Sequence, residues 1–297
     1  MDVNKELSSR ASQIEEVIYS YLPDEKNGYQ KTVLEAMNYS VKAGGKRIRP
    51  ILMNETYKLF GGKSKAIEPL AAAIEMIHTY SLVHDDLPAM DNDMLRRGKP
   101  TTHAKFGEAM GILAGDALLN YAFETGLKAM DVDPDNQAVY KALQILAKKA
   151  GIYGMIGGQV VDVESEKQQN ISKDKLDFIY ELKTGALIEA SMMIGALLGG
   201  ATDQEVSKIE LVAKKVGLAF QIQDDILDVI GDQETLGKPI GSDEENQKAT
   251  YVVYEGIEKS KKDVENLTRD AIDILNDLPY ENEFLKELLM WLVMRDK

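Results

Sequence analysis

The chain has 297 residues, 44% of them hydrophobic, and its formal net charge at pH 7 is −14. This much apolar sequence can form a large buried core, which excludes a disordered polypeptide, and the acidic balance argues against a protein that binds nucleic acid. The sequence contains no cysteine, which excludes disulfides, thiol nucleophiles and zinc sites built from thiolates.

Apolar residues recur at helical spacing along nearly the whole chain. The pattern predicts helices at about residues 4–22, 29–43, 50–60, 64–86, 109–130, 137–155, 173–198, 203–230, 251–278 and 280–294. Pro23 follows the first helix, and Gly44-Gly45 and Gly61-Gly62 follow the next two, as expected for helix ends. Residues 231–248 are expected to form a loop. Two glycines of the fifth helix are expected at close-packing positions, Gly111 and Gly115.

The order of these helices also predicts the architecture. No segment alternates in hydrophobicity as a strand would, and no repeat or linker divides the chain. The sequence therefore predicts an all-α protein in which residues 1–297 form a single domain. We expect one large bundle of about ten helices around a central cavity.

Four carboxylates lie within nine residues at the end of the predicted fourth helix, in the sequence HDDLPAMDND: Asp85, Asp86, Asp91 and Asp93. Like charges held this close repel one another, and carboxylates at the C-terminal end of a helix also oppose its dipole. Pro88 disfavours helical geometry in the residue before it, so the helix is expected to break inside the cluster. An all-oxygen site of this kind suits Mg²⁺, Mn²⁺ or Ca²⁺.

A second acidic cluster lies far along the chain, in the sequence FQIQDDILD. Asp224, Asp225 and Asp228 share one face of a predicted helix because they are three and four residues apart. A single triplet of this kind is typical of a solvated helix face. Two triplets, each flanked by apolar sequence, favour a shared site for several metal ions, and we expect the two clusters to face each other across a cavity.

Cationic residues accompany the acidic ones. The glycine-rich sequence GGKRIRP holds three of them, Lys46, Arg47 and Arg49. A turn of this kind can bind an anion through side chains and backbone N–H groups, although helix ends followed by cations are common. Arg96 and Arg97 directly follow the first acidic cluster, and they can either bind phosphate oxygens or neutralise Asp91 and Asp93.

His78 precedes Asp85 by seven residues, which is two helical turns, so both lie on the same face of the fourth helix. A single histidine in an apolar helix is usually a core residue, but its alignment with the acidic cluster makes it a candidate for the same site. Lys183, Thr184 and Lys238 are further candidates, although each alone is typical of a surface or a helix cap.

The sequence also predicts the location of the protein. Its first residues lack the basic and then apolar pattern of a secretory signal. The closest approach to a membrane span, residues 186–201, is interrupted by Glu189 and Ser191 and falls short of ~18 uninterrupted apolar residues. We therefore expect a cytoplasmic protein without stable membrane insertion.

Five motifs occur together in this chain: GGKRIRP, HDDLPAMDND with RRGKPTTH, GMIGGQVVD, KTGAL and FQIQDDILD. Their order and separations resemble those of the trans-isoprenyl diphosphate synthases, most of all the bacterial farnesyl diphosphate synthases. The resemblance extends from about Ser40 to the C-terminal Lys297. It implies the isoprenoid synthase fold, a homodimer and small isoprenyl diphosphates as substrates. It also implies Mg²⁺ as cofactor, with three ions per active site, for which Mn²⁺ can substitute.

The resemblance further implies a role for each matching residue. Mg²⁺ on the allylic diphosphate is bound by Asp85, Asp86, Asp91 and Asp224, and Asp225 and Asp228 complete the second motif in less direct roles. The allylic diphosphate is held by Arg96, Lys183 and Lys238. The diphosphate of isopentenyl diphosphate is held by Lys46, Arg49, His78 and Arg97. The developing carbocation is lined by Thr184 and Gln221.

The expected reaction is the ionisation of an allylic diphosphate, attack on the cation by the isopentenyl double bond, and loss of a proton to the released diphosphate. Tyr80 precedes Asp85 by five residues and therefore lies ~7.5 Å deeper along the helix axis. Its ring is expected to stop chain growth at farnesyl diphosphate. The pair Leu87-Pro88 inside the first motif resembles the same farnesyl-producing type.

Several alternatives stay open at this point. A geranylgeranyl or longer-chain synthase has the same fold, and a non-catalytic partner subunit would be expected to lose motif residues. A terpene cyclase would not need GGKRIRP, because it binds no second diphosphate. A helical protein could also use its acidic clusters only to buffer cations. Product analysis and a test for Mg²⁺-dependent condensation separate these readings.

Overall fold

The computed structural model describes residues 2–25, 27–166, 171–230 and 250–294. These residues are predominantly helical, which confirms the predicted all-α class. The helices are α1 (Val3–Ser20), α2 (Lys31–Val41), α3 (Ile48–Leu59), α4 (Ile67–Asp85), α5 (Thr102–Phe106), α6 (Glu108–Val132), α7 (Gln137–Ala150), α8 (Met155–Ser165), α9 (Lys173–Ile179), α10 (Ala186–Gly199), α11 (Asp203–Ile230), α12 (Tyr251–Glu255), α13 (Ile257–Asn276) and α14 (Glu283–Met294). A π-helical segment (Tyr180–Gly185) joins α9 to α10.

The described helices outnumber the ten that were predicted, for local reasons. Gly256 has a positive φ of 76°, which ends α12 and divides the predicted helix 251–278 into two. The short helices α5 and α8 fall in stretches for which no helix was predicted. The remaining predicted helices are observed with ends that differ by a few residues. The predicted loop at residues 231–248 lies outside the described residues.

A small hairpin interrupts the helical series between α4 and α5. Strand β1 (Leu95–Arg96) pairs in antiparallel register with strand β2 (Lys99–Pro100). The two residues that connect them, Arg97 and Gly98, have φ values of 54° and 73°, as a type I′ turn requires. The expectation of no strand was therefore wrong here, because two-residue strands are too short to show an alternating pattern.

The described chain divides into two compact units. The first unit comprises residues 2–54 and 63–143, apart from residue 26, and the second comprises residues 55–62 and the described residues from 144 onwards. The expectation that residues 1–297 form a single domain stays a prediction.

Helix α4 provides the core of the first unit, and residues 70–77 within it are all buried. It packs against α1, α2 and α6. On α6, a Cβ atom placed on Gly115 would lie 2.0 Å from His84 Nε2, and one on Gly111 would lie 3.0 Å from Leu87 Cδ2. Both glycines therefore occupy close-packing positions, as predicted, and larger residues would push α6 away from the end of α4.

Helices α10 and α11 form the core of the second unit, where α11 packs against α10, α13 and the π segment. One helical run among the described residues, Lys173–Gly199, is long and apolar enough to cross a membrane. However, 78% of its most apolar window is buried inside the protein, as in a core helix. Glu189 within this run pairs with Lys149, which also binds Glu210 at 2.8 Å.

Candidate active site

The first acidic motif begins where α4 ends. Asp85 is the last residue of the helix and Asp86 is its C-cap, so the helix breaks inside the cluster as Pro88 predicts. The chain then folds back on itself, because the backbone N–H of Asp91 donates to the carbonyl of Asp85 at 2.9 Å. Asp85 is half-buried, whereas Asp91 is exposed.

Asp86 is buried and ion-paired. Its relative exposure is 3%, and Arg96 donates to Oδ1 from Nε at 2.8 Å, with Nη2 at 2.6 Å from the same oxygen. Burial raises the pKa of Asp86 above its ordinary value, although Arg96 opposes the shift. Arg96 also lies 3.6 Å from Asp93. Arg96 therefore pairs with Asp86 and Asp93, whereas the alternative interpretation had Arg96 and Arg97 neutralise Asp91 and Asp93.

The hairpin turn places Arg97 against the glycine-rich turn of GGKRIRP. The Arg97 guanidinium donates to the carbonyl of Gly44. A Cβ atom on Gly45 would lie 2.6 Å from Arg97 Nη1, and Gly45 also has a φ of 140°, which favours glycine. The second glycine of the motif is therefore required both by its backbone conformation and by the guanidinium that packs over it.

His78 faces a cavity of the first unit. Residues that line it are Tyr39, Ser40, Glu75, His78, Thr79, Asp86, Arg96, Arg97, Thr101 and Thr102, among others. Burial lowers the pKa of His78 well below its ordinary value, and the charges of Arg49 and Arg97 lower it further. The imidazole is therefore neutral at pH 7 and can donate one N–H without adding charge.

Arg49 contributes a buried donor without a protein partner. Its Nε atom is buried and has no hydrogen-bond acceptor among the described residues. Burial lowers the pKa of Arg49, and the charge of Arg97 lowers it further, although Glu75 opposes the shift. A guanidinium with a buried, unsatisfied N–H beside a second cation is stabilised by an anion, such as a phosphate oxygen. This is the strongest sign of an anion site in the first unit.

The three cations of GGKRIRP do not act alike. Lys46 is exposed, but Arg47 is 3% exposed and is turned into the protein, where the carboxylates of Glu15 and Glu75 pair with it. The expectation that all three cations of the turn could bind one anion is therefore wrong for Arg47. The resemblance implies substrate-binding roles for Lys46 and Arg49 but none for Arg47, and these two roles stay predictions.

Tyr80 lies on the buried face of α4, behind the acidic motif. It is 5% exposed, and its ring packs edge-on against His84 at a centroid distance of 5.8 Å. Its hydroxyl is buried without a hydrogen-bond partner in the described structure. Burial, with a smaller contribution from Asp85, raises the pKa of Tyr80 to about 12, so the phenol is neutral. The ring is thus an uncharged, bulky group in the core of the first unit.

In the second unit, Asp225 of the second acidic motif is engaged by protein donors. The hydroxyl of Tyr180 donates to its Oδ2 at 2.5 Å, and the backbone N–H of Tyr251 donates to the same oxygen at 2.6 Å. Asp225 is 7% exposed, whereas Asp224 and Asp228 are half-buried. This arrangement suits the less direct role that the resemblance implies for Asp225.

Lys183 and Thr184 lie in the π segment, a distortion that is frequent at functional sites. Lys183 Nζ donates to Asp162 Oδ2 at 2.5 Å, which joins the motifs KTGAL and GMIGGQVVD. A Cβ atom on Gly158 would lie 2.3 Å from the backbone nitrogen of Lys183. A glycine is therefore needed where α8 approaches the backbone of the π segment. Thr184 and Gln221 of this unit are half-buried.

Among the described residues, no group of three or more His, Asp or Glu side chains is arranged to hold a metal ion by itself. The donors of the two motifs are all carboxylate oxygens, which fit Mg²⁺, an ion that usually binds one or two carboxylates together with substrate phosphates and water. Lys238 lies outside the described residues, and the expectation that the two acidic motifs face each other stays a prediction.

Sequence reasoning missed several residues that support these groups, namely Glu15, Glu75, Asp162 and Tyr180. Glu75 gave a signal that could have been used, because it is an isolated carboxylate in an apolar helix, one turn before His78. The partners of Glu15, Asp162 and Tyr180 are distant in sequence, so their roles become visible only in the folded chain.

The chain is similar to known proteins over most of its length. A family model described as polyprenyl synthetase matches residues 30–284. The geranylgeranyl diphosphate synthase of Cyanophora paradoxa is 45% identical over 266 residues, which are 89% of this chain and 87% of that protein. The farnesyl diphosphate synthase of Geobacillus stearothermophilus is 50% identical over 217 residues, which are 73% of each.

A solved structure extends the similarity to the fold. The crystal structure of a geranyltransferase from Helicobacter pylori, complexed with magnesium and isoprenyl diphosphate, matches with a TM-score of 0.82 and 31% identity. The match covers 99% of this chain and 97% of that one. Relatives of this chain are thus named for products of more than one length.

Proposed function

The chain belongs to the polyprenyl synthetase family and is a trans-prenyltransferase, and on this premise we propose that its main product is farnesyl diphosphate. Enzymes of this class condense isopentenyl diphosphate with an allylic diphosphate. The observation that carries the proposed product length is Tyr80, which is buried five residues before Asp85 on one helix. A ring at this depth limits the space that a growing chain can enter.

The first unit supplies the groups for isopentenyl diphosphate. The buried, unpartnered Nε of Arg49 and the neutral imidazole of His78 can both donate, and Arg97 adds a second guanidinium. Together with the exposed Lys46, they can bind the diphosphate while the apolar end of the substrate stays in the protein interior. Binding in a fixed orientation places the double bond for attack and lowers the entropic part of the barrier.

The allylic diphosphate is proposed to bind with Mg²⁺ held by Asp85, Asp86, Asp91 and Asp224. When bound, Mg²⁺ offsets the negative charge that develops on the leaving diphosphate as the C–O bond breaks. Arg96 and Lys183 would bind the same diphosphate, and Thr184 and Gln221 would line the allylic cation. The isopentenyl double bond then attacks this cation, and the released diphosphate removes a proton. An apolar surrounding keeps water from the cation.

Further properties belong to the same proposal. We propose three Mg²⁺ ions per active site, with Mn²⁺ as a working substitute, and a homodimer in the cytoplasm. The protein is not expected to bind nucleic acid, because its net charge is −14. The magnesium ions in the complex of the Helicobacter pylori relative support the choice of metal.

The test is an incubation of the purified protein with labelled isopentenyl diphosphate and either dimethylallyl or geranyl diphosphate. We expect condensation that stops when EDTA removes Mg²⁺ and resumes when Mg²⁺ is added back, with farnesyl diphosphate as the main product by chromatography. A main product of C20 or longer would instead identify a geranylgeranyl or longer-chain synthase. The similarity to the relative from Cyanophora paradoxa favours this alternative. No Mg²⁺-dependent product with either starter would contradict the proposed activity.

A further inference from the structure

Arg47 is the one cation of GGKRIRP that no substrate role explains. Its side chain is 1% exposed. Nε donates to Glu15 Oε1 at 2.9 Å, and Nη1 donates to Glu75 Oε1 at 2.8 Å. Nη2 donates to the carbonyl of Val41 at 2.7 Å and, over 3.4 Å, to the Tyr19 hydroxyl. The guanidinium is therefore committed to partners inside the first unit and cannot bind a substrate anion.

The backbone at Arg47 is in the left-handed region, with a φ of 52°. Residues with a Cβ atom rarely adopt this conformation unless surrounding contacts hold them in it. Here the hydrogen bonds and ion pairs of the buried guanidinium hold Arg47 in this conformation. The Arg47 side chain points into the first unit. Lys46 before it is exposed, and Arg49 after it keeps a buried Nε without a protein acceptor. Arg47 therefore stands between the exposed Lys46 and the first turn of α3, where Arg49 lies.

Glu75 connects this ion pair to the cavity that His78 faces. It is 3% exposed and lines that cavity one helical turn before His78. Burial lowers the pKa of both Arg49 and Arg97, and the charge of Glu75 opposes the shift in each. One buried carboxylate therefore binds Arg47 directly and also offsets part of the positive charge of Arg49 and Arg97.

We propose that Arg47 is a positioning residue for the isopentenyl diphosphate pocket, and that Glu15 and Glu75 hold it there. The buried ion pairs fix the left-handed turn from which Lys46 and Arg49 bind the diphosphate. This inference rests on the proposed function, because it assigns Arg47 to one of the two substrates. The inference predicts that substitutions of Arg47 weaken the binding of isopentenyl diphosphate selectively. A residue that only stabilises the fold would affect the binding of both substrates alike.

The experiment compares Arg47→Lys and Glu15→Ala with the wild-type enzyme in steady-state kinetics. Lysine keeps the charge but cannot reach Glu15, Glu75 and the Val41 carbonyl together, so the KM for isopentenyl diphosphate is expected to rise about tenfold. The KM for geranyl diphosphate is expected to change by less than about twofold. Glu15 is on α1 and does not line the cavity, so a smaller rise, about threefold, in Glu15→Ala would not come from lost contact with the substrate but from a loosened Arg47.

A control variant and a binding measurement distinguish a selective loss of isopentenyl diphosphate binding from a general effect on the enzyme. Arg10→Lys is the matched control, because Arg10 pairs with Glu6 on α1 in the same unit, and it is expected to leave both KM values unchanged. Calorimetry with isopentenyl diphosphate alone, without Mg²⁺ or allylic substrate, should show the same loss of affinity in Arg47→Lys. Equal changes in both KM values, or none in Glu15→Ala, would overturn the inference, and Glu15→Ala decides if Arg47→Lys fails to fold. A wild-type protein without condensation activity would instead contradict the proposed function.

Discussion

The acidic residues of the two motifs differ in their exposure and in the protein donors that compensate their charge. Asp86 is buried against Arg96, and Asp225 accepts hydrogen bonds from Tyr180 and from the backbone of Tyr251. A buried carboxylate without such partners would be costly, because its desolvation would not be compensated. Protein donors therefore offset part of the repulsion that was expected among the clustered carboxylates. Asp91, by contrast, is exposed to solvent, so its charge is not desolvated.

Tyr80→Ala is the test of product length at the scale of one residue. Removing a ring that is 5% exposed opens space behind the first acidic motif, so the main product is expected to lengthen by at least one isoprene unit. The measurement is chromatography of the products made from geranyl diphosphate and excess isopentenyl diphosphate. The void left by the missing ring is also expected to lower the free energy of unfolding by about 3–5 kcal/mol, which thermal unfolding would report.

Tyr80→Phe is the control for that change. The Tyr80 hydroxyl has no hydrogen-bond partner in the described structure, so its removal leaves the ring in place and relieves an unsatisfied polar group. We expect the wild-type product distribution and equal or higher stability. An unchanged product profile in Tyr80→Ala, at normal activity, would count against the ring as the limit to chain growth.

The charged residues of the site were predictable from sequence to the extent that they lie close together along the chain. Asp85 and Asp86 stand out as clustered charge that folding alone would not favour. The ion pair between Arg47 and Glu75 could not be predicted, because it joins positions 28 residues apart and depends on how the turn after α2 meets α4. Spacing along a helix reports which residues share a face, but not which distant side chain meets them.

At the scale of elements, the periodicity of apolar residues was enough to predict most helices, because long buried helices carry a strong 3.6-residue pattern. The hairpin was missed because its register is set by the type I′ turn at Arg97-Gly98 rather than by any apolar pattern. The π segment was missed as well, because its sequence continues the helical pattern of α9 and α10 without interruption. Both irregular elements carry candidate site residues.

Tyr180→Phe tests how the π segment is held. Tyr180 is the first residue of that segment, and its hydroxyl bond to Asp225 fixes it to α11. Loss of the donor is expected to lower the free energy of unfolding by about 1–3 kcal/mol and to reduce kcat several-fold, because Lys183 and Thr184 lie in the same segment. The KM for isopentenyl diphosphate should not change. Steady-state kinetics and thermal unfolding give these values.

The matched control for this change is Tyr153→Phe. Tyr153 is 74% exposed, so losing its hydroxyl should alter neither stability nor kcat. If Tyr180→Phe behaves like Tyr153→Phe in both measurements, the hydrogen bond to Asp225 does not position the segment.

At the scale of the whole molecule, the charge and the apolar surface serve different purposes. A net charge of −14 keeps copies of the chain apart in solution unless a specific surface offsets the repulsion. Helix α6 offers such a surface, because it exposes large aliphatic side chains at Ile112, Leu113 and Leu127. Scattered apolar residues on a surface are ordinary, but these three share one side of a long helix and give a second copy an apolar face to cover.

The proposed homodimer is tested through this face of α6. Light scattering after size exclusion is expected to give the mass of two chains for the wild-type protein. The double variant Leu113→Asp with Leu127→Asp is expected to give the mass of one chain, because two carboxylates in an apolar contact would be buried without partners. Leu211→Asp is the control, since Leu211 is 46% exposed on α11 and outside that face. A wild-type monomer would contradict the dimer, whereas a double variant that stays dimeric would place the contact on another surface.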